Sequence, residues 1–190
     1  MKSLWPVIWC LALICACGTS RLDHFYVLTP QPAAVSPAPQ APRTRVALKV
    51  ILPSVVDRPE MVLNTSAEGV TVLEHERWAA PLPDLVSQAL ARDLERRRSD
   101  LMVVDRSFDR PDSLSIKITV ELVQLSLRQS GSASIEAHWR IIDPRAGTDW
   151  VEGSVFETPL RNGGYASVAQ ALSECLGLLA DKLAAKLPAA

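Results

Sequence analysis

From Leu114 to Phe156 the chain alternates apolar and polar residues with a period of two, and no other feature restricts its fold as strongly. Leu114, Ile116, Ile118, Val120 and Leu122 keep one phase, which then slips by one residue to Val123, Leu125 and Leu127. A strand shows successive side chains to opposite faces, so the slip would turn Leu125 and Leu127 outward unless a β-bulge near Leu122-Val123 absorbs it. After a turn at Gly131, Ala133, Ile135, Ala137, Trp139 and Ile141 alternate with Ser134, Glu136, His138 and Arg140. The stretch Asp143-Pro144-Arg145-Ala146-Gly147 is turn chemistry, and Trp150 to Phe156 forms a last strand. A meander of this length carries an apolar face that other elements must cover.

Two segments have the period of a covering helix. Leu82, Leu85, Val86, Ala89, Leu90 and Leu94 recur at three- and four-residue spacing, with Asp84 in the first turn and Arg96-Arg97-Arg98 at the end, charges that complement a helix dipole. Tyr165, Val168, Ala169, Leu172, Cys175, Leu176, Leu179, Leu183 and Leu187 mark one stripe of a longer C-terminal helix. Upstream, Val46 to Leu52 reads as a buried strand ended by Pro53. Met61-Val62-Leu63 and Val70-Thr71-Val72-Leu73 read as a hairpin, and Leu101 to Val104 as a further strand. The order predicts an α+β fold, a mostly antiparallel sheet with both helices packed on one face.

The N-terminus predicts export and anchoring. Lys2 precedes an apolar run from Leu4 to Ile14, too short to span a bilayer core and of the length of a signal peptide. It ends in Ile14-Cys15-Ala16-Cys17-Gly18, a lipobox with a branched residue at −3 and a small one at −1. Cys15 is the poorer candidate, because Ile14 would then stand at the cleavage position. Residues 1–16 are thus expected to be removed and Cys17 acylated, and stable anchoring follows from two or more acyl chains. By resemblance to lipoprotein sorting rules, Gly18 rather than Asp in the next position implies the periplasmic face of the outer membrane rather than the inner membrane. Residues 17–44 are expected to form an anchored arm and a Pro/Ala-rich linker, Thr29 to Pro42, ahead of a single domain over 45–190. Within the arm, Phe25-Tyr26-Val27-Leu28 is short and β-prone, suited to pairing with a sheet edge.

Without residues 1–16, Lys and Arg fall from 20 to 19 against 21 acidic residues, a net charge of about −2 that offers no basic surface for nucleic acid. Of four cysteines only Cys17 and Cys175 remain, one assigned to lipid, so no intramolecular disulfide is expected. The three histidines do not help a catalytic reading. His75-Glu76 lacks a second His four residues on, and His138 takes a polar position in its strand. No Gly-x-Ser-x-Gly turn is present, and Gly163-Gly164 precedes a helix without the Lys-Ser/Thr of a phosphate loop. Cys175 on an apolar stripe reads as a small buried hydrophobe. The sequence therefore predicts no catalytic residues, no metal ligands and no cofactor.

Two loop segments bracket the predicted hairpin, Asp57-Arg58-Pro59 before it and Arg77-Trp78-Ala79-Ala80-Pro81 after it. A hairpin brings its two ends together, so Asp57, Arg58, Arg77, Trp78 and Pro81 are the candidate partner-binding residues, a mixture of charge and large apolar surface that binding hot spots favour. For Trp78 the competing reading is a core anchor at the start of the first helix.

The lipobox cysteine, Phe25-Tyr26-Val27-Leu28-Thr29-Pro30, Val55-Val56-Asp57-Arg58-Pro59 leading into Met61-Val62, and Arg77-Trp78-Ala79-Ala80-Pro81-Leu82 together resemble the ABC-type transport auxiliary lipoprotein family, to which paraquat-inducible protein C belongs. Ala80 stands where many members carry Glu. The resemblance implies a non-enzymatic envelope lipoprotein that works with an MCE-family periplasmic protein and ABC transporter components in moving lipid between the membranes. The alternative is a structural or assembly lipoprotein that docks an outer-membrane or peptidoglycan-linked complex without handling lipid.

Overall fold

A computed structural model describes residues 21–33, 43–105, 115–129 and 131–188. The signal peptide, Cys17, most of the Pro/Ala-rich segment and Leu114 lie outside the described residues. The strands are β1 (His24–Tyr26), β2 (Thr44–Ile51), β3 (Glu60–Asn64), β4 (Val70–Trp78), β5 (Leu101–Asp105), β6 (Ile116–Leu127), β7 (Ser132–Asp143) and β8 (Thr148–Pro159). The helices are α1 (Leu82–Arg97), between β4 and β5, and α2 (Tyr165–Lys186), after β8.

The class is α+β, as the patterning implies, but the strands divide into two sheets. A five-stranded sheet has the order β5-β2-β6-β7-β8, and a three-stranded sheet the order β1-β4-β3. The meander β6-β7-β8 is antiparallel, whereas β2 runs parallel to both of its neighbours and β1 runs parallel to β4. Parallel neighbours need a crossover, and α1 supplies the one between β2 and β5. Residues 61–63 and 70–73 form the expected hairpin, with Met61 opposite Leu73. The register of β6 against β7 shifts between Leu122 and Gln124, so Leu122 and Leu125 are both buried while Val123 and Gln124 between them are turned out. That is the bulge required by the slip in phase.

Both helices cover one face of the five-stranded sheet, α1 over β2 and β5, α2 over β7 and β8, and they pack on each other. Leu90, Leu94, Val168, Leu172, Leu176 and Leu179 are wholly buried between helices and sheet together with Ile118, Val120, Ile135 and Ala137. The other face carries Lys117, Glu121, His138 and Arg140, all exposed. The Arg96-Arg97-Arg98 run does more than complement a dipole. Arg97 bridges Asp93 (3.3 Å) and Asp181 (2.5 Å), tying α1 to α2. Arg98 donates to the carbonyls of Leu187 (3.0 Å) and Pro188 (2.7 Å), meeting the orphan acceptors at the end of α2. At the β7-β8 turn, Asp143 Oδ1 accepts the amide of Arg145 (2.9 Å), and Gly147 takes φ +65°, a backbone conformation that side-chain-bearing residues resist.

The arm expected ahead of the domain is docked on it. His24, Phe25 and Tyr26 pair with Glu76, Arg77 and Trp78, and Leu28 is 8% exposed within the core. Beyond it the amide of Thr29 donates to Ser173 Oγ on α2 (3.1 Å) and that of Gln31 to Asp93 Oδ1 on α1 (2.6 Å). Gly177 leaves the room for this path, since a Cβ there would stand 2.7 Å from Gln31 Cγ. No described helix is long and apolar enough to cross a membrane.

Candidate functional site

The segments on either side of the β3-β4 hairpin do meet. Bending at residues 53–58 is set by the amide of Val56 donating to the Pro53 carbonyl (3.1 Å) and that of Arg58 to the Val56 carbonyl (2.9 Å). Across from it, Pro81 ends the extended chain and caps α1. It has no amide proton to be satisfied there, and its carbonyl accepts the amides of Asp84 (3.0 Å) and Leu85 (3.1 Å). The amide of Trp78 donates to the Pro59 carbonyl (2.8 Å), which locks the two segments side by side. Asp57, Arg58, Pro59, Trp78, Ala80 and Pro81 then line one hollow of about 290 Å³. Its rim, Asp57, Arg58, Pro59 and Pro81, is exposed.

Of the five predicted residues, Trp78 lines the hollow from below and Arg77 lies outside it. Trp78 is 4% exposed: its alternation on β4 directs it inward, so it forms the floor of the hollow and belongs to the core rather than standing out as an apolar plate. Arg77 turns to the opposite side of β4 and does not line the hollow. It pairs with Glu60 (2.6 Å) on β3 and with Asp23 (3.5 Å) in the arm, so it holds three segments together. Arg58 reaches the same Glu60 at 3.0 Å. With the Arg77 and then the Arg58 guanidinium hydrogen-bonded to it, the Glu60 carboxyl is drawn down to about 2.

The polar groups that dock the arm are the ones that sequence patterning passed over. Asp23 accepts from His75 (2.9 Å) and is lowered chiefly by that hydrogen bond. Glu76 takes the Tyr26 hydroxyl (2.5 Å) and the His24 ring (3.1 Å). Burial against these neighbours, with the Glu76 carboxylate as its acceptor, pushes the Tyr26 phenol up to about 12. Asp93 is wholly buried, with its carboxyl raised above the usual range by desolvation in spite of Gln31 and Arg97, and its Oδ2 has no hydrogen-bond partner. One signal for it exists in the sequence: position 93 falls on the stripe of Ala89, Leu90 and Leu94, where a carboxylate needs a reason.

Cys175 is 0% exposed, its thiol donating to the Ala133 carbonyl (3.3 Å) and its ionisation pushed up by burial. His138 is exposed on the helix-free face, 3.8 Å from Glu136. No group of three His, Cys, Asp or Glu among the described residues is placed to hold a metal ion.

The family model of the ABC-type transport auxiliary lipoprotein component matches residues 26–184, from the middle of β1 almost to the end of α2. The chain belongs to that family. Its fold is shared with the crystal structure of an uncharacterized protein, at 17% identity and a TM-score of 0.73 over 88% of this chain and 100% of that one. It is also shared with protein XCC0632 from Xanthomonas campestris, of the DUF330 family, at 19% identity and a TM-score of 0.63 over 85% and 92% of the two chains. No curated protein matches the chain. As a member of an auxiliary lipoprotein family, the protein has an accessory, transport-associated role in the cell envelope.

Proposed function

We propose that this lipoprotein is a non-catalytic accessory of an MCE/ABC-type lipid transport system, anchored through acylated Cys17 in the periplasmic face of the outer membrane. Its exposed loop surface, Asp57, Arg58, Pro59 and Pro81 around the floor of Trp78, docks the MCE-family periplasmic protein of that system. The ATPase is then another chain, and lipid passes through the assembly rather than being transformed by this protein. The observation that carries the reading is the family match over residues 26–184. Its support at the site is a hollow with an exposed charged rim and an apolar floor, the composition that a protein partner uses for a small anchor.

Co-purification from detergent-solubilised envelopes tests it. The wild-type protein is expected to bring down the MCE-family protein and to fractionate with outer membrane, while a folded Asp57→Arg/Arg58→Glu variant loses the partner and keeps the membrane. Retention of the partner by that variant removes the docking assignment. Recovery of an outer-membrane or peptidoglycan-linked complex in place of any MCE protein overturns the lipid-transport reading in favour of an assembly role.

A further inference from the structure

The arm joins the domain before residue 34, within the first residues of the Pro/Ala-rich segment. β4 holds the chain at His24–Tyr26, Ser173 holds Thr29 and Asp93 holds Gln31. The amide of Thr44, at the start of β2, donates to the Asp100 carbonyl (2.8 Å). Residues 34–42 therefore connect two points that are both fixed on the domain, and they add nothing to the reach between Cys17 and the fold. That reach is set by residues 18–23 alone. Fully extended, the steps from Cys17 to His24 span at most about 25 Å, whereas a chain free as far as Thr44 would span about 95 Å.

We propose that the domain rides directly on the membrane that holds Cys17, with the β1 end of the three-stranded sheet against the lipid headgroups and the tether limited to the residues before β1. The proposal rests on Cys17 being the acylated residue. Three large apolar side chains lie at the end of the tether and just after it. Leu22 is 82% exposed, the highest of any large hydrophobic among the described residues, followed along the chain by Phe25 at 63% and Val27 at 54%. Phe25 stands opposite Arg77, on the outer side of the three-stranded sheet. Of the carboxylates around the patch, Asp23 is taken up by His75 and Arg77 and Glu76 by Tyr26 and His24, while exposed Glu74 shares a hollow with Arg21 and Leu22. Arg21 is exposed at the start of the patch, where a cation suits anionic headgroups. Apolar side chains at this depth gain by partitioning into the headgroup boundary, and the covalent anchor has already removed most of the entropy cost of bringing them there.

Acylated full-length protein in vesicles of phosphatidylethanolamine and phosphatidylglycerol tests this, with bimane attached at Phe25→Cys or, as reference, at Val151→Cys. Val151 is 70% exposed and pairs with Arg140 on the helix-free face, while Cys175 is buried away from the label. Intact mass first establishes the acyl chains on Cys17. Brominated lipid is expected to quench the label at 25 several-fold more than that at 151. A Gly/Ser insertion of about fifteen residues within 34–42 should leave the quenching unchanged, and the same insertion after Ser20 should bring it down towards the level at 151. Equal quenching at the two positions in acylated protein, or quenching that responds to the insertion within 34–42, overturns the proposal and leaves the patch to a protein partner. A mass without acyl chains removes the tether, and the proposal falls together with the anchor rather than through the docking of β1.

Discussion

Trp78 and Arg58 sit in the same hollow and answer to different forces. Trp78 is packed among core side chains, so Trp78→Ala is expected to cost about 3–5 kcal/mol in a denaturant or thermal melt, the range for truncating a buried aromatic. Arg58 is exposed and shares Glu60 with Arg77, so Arg58→Ala should move the melt little. Its effect is expected in co-purification, where a loss of partner with an unchanged melt separates docking from stability. Asp93 is the opposite case, a buried carboxyl whose neutral form the fold prefers. Its folded pKa is raised, so its contribution is fully present below the unfolded value of 3.8 and is lost as pH rises through the folded value. Asp93→Asn keeps an acceptor for the Gln31 amide and cannot ionise. Melts at pH 4 and pH 7 should therefore show the variant gaining on the wild type at the higher pH, and a gap that narrows instead would mean that the ion pair with Arg97 outweighs desolvation.

At the scale of elements, the arm decides how the domain is bounded. A Pro-rich stretch reads as a spacer, because polyproline-like chain builds no core, and this sets residues 17–44 apart from a domain starting at 45. Docking is done by the residues before it and by its first three: β1 adds an edge to β4, Leu28 enters the core with the side chains of the helices and sheet, and the Thr29 and Gln31 amides are held by the two helices. Leu28→Ala is expected to destabilise by about 2–5 kcal/mol, and a chain beginning at Arg43 should melt well below one beginning at Arg21. Equal melting of the two chains would show that the arm lies on the surface without contributing to the fold. Limited proteolysis within 34–42 should leave the arm bound, since β1, Leu28 and the Thr29 and Gln31 amides still hold it.

Across the whole molecule, pairing of carboxylates sets the response to acid. Asp23, Glu60, Glu76, Asp100 and Asp149 are all held below their usual ranges, Glu60 by Arg77 and Arg58, Asp100 by Arg98, Asp149 by Arg140. Groups with depressed folded pKa values contribute stability above the unfolded pKa and lose it as pH falls through the folded one. For Glu60 that window runs from 4.5 down to about 2. Stability is expected to decline through this range, and Glu60→Gln to flatten the decline. Asp23 and Asp149 are exposed and Glu60, Glu76 and Asp100 half-buried, so added salt should shrink the effect, most at the exposed pairs. An unaltered acid limb in Glu60→Gln would place the acid sensitivity elsewhere.

Patterning alone determined the α+β class, the hairpin, the two helices and the bulge near Leu122-Val123. All of these are local: period two or period three-to-four over a dozen residues. Resemblance in a few short segments led to the family, which the match over residues 26–184 then established. What only the tertiary structure decided depends on which surfaces meet. Alternating residues tell a strand that one face is buried but not which strand lies beside it, so the division into two sheets and the parallel placement of β2 and β1 were not legible. The same holds at the candidate site. A hairpin implied that Asp57, Arg58 and Pro81 would come together, but β4 turns Trp78 inward and Arg77 away, and a side chain's face on a strand follows from a register set by its partners. Asp93 received its meaning from the Gln31 amide, 62 residues away in the chain, because a buried carboxyl is explained only by the groups that fold brings to it.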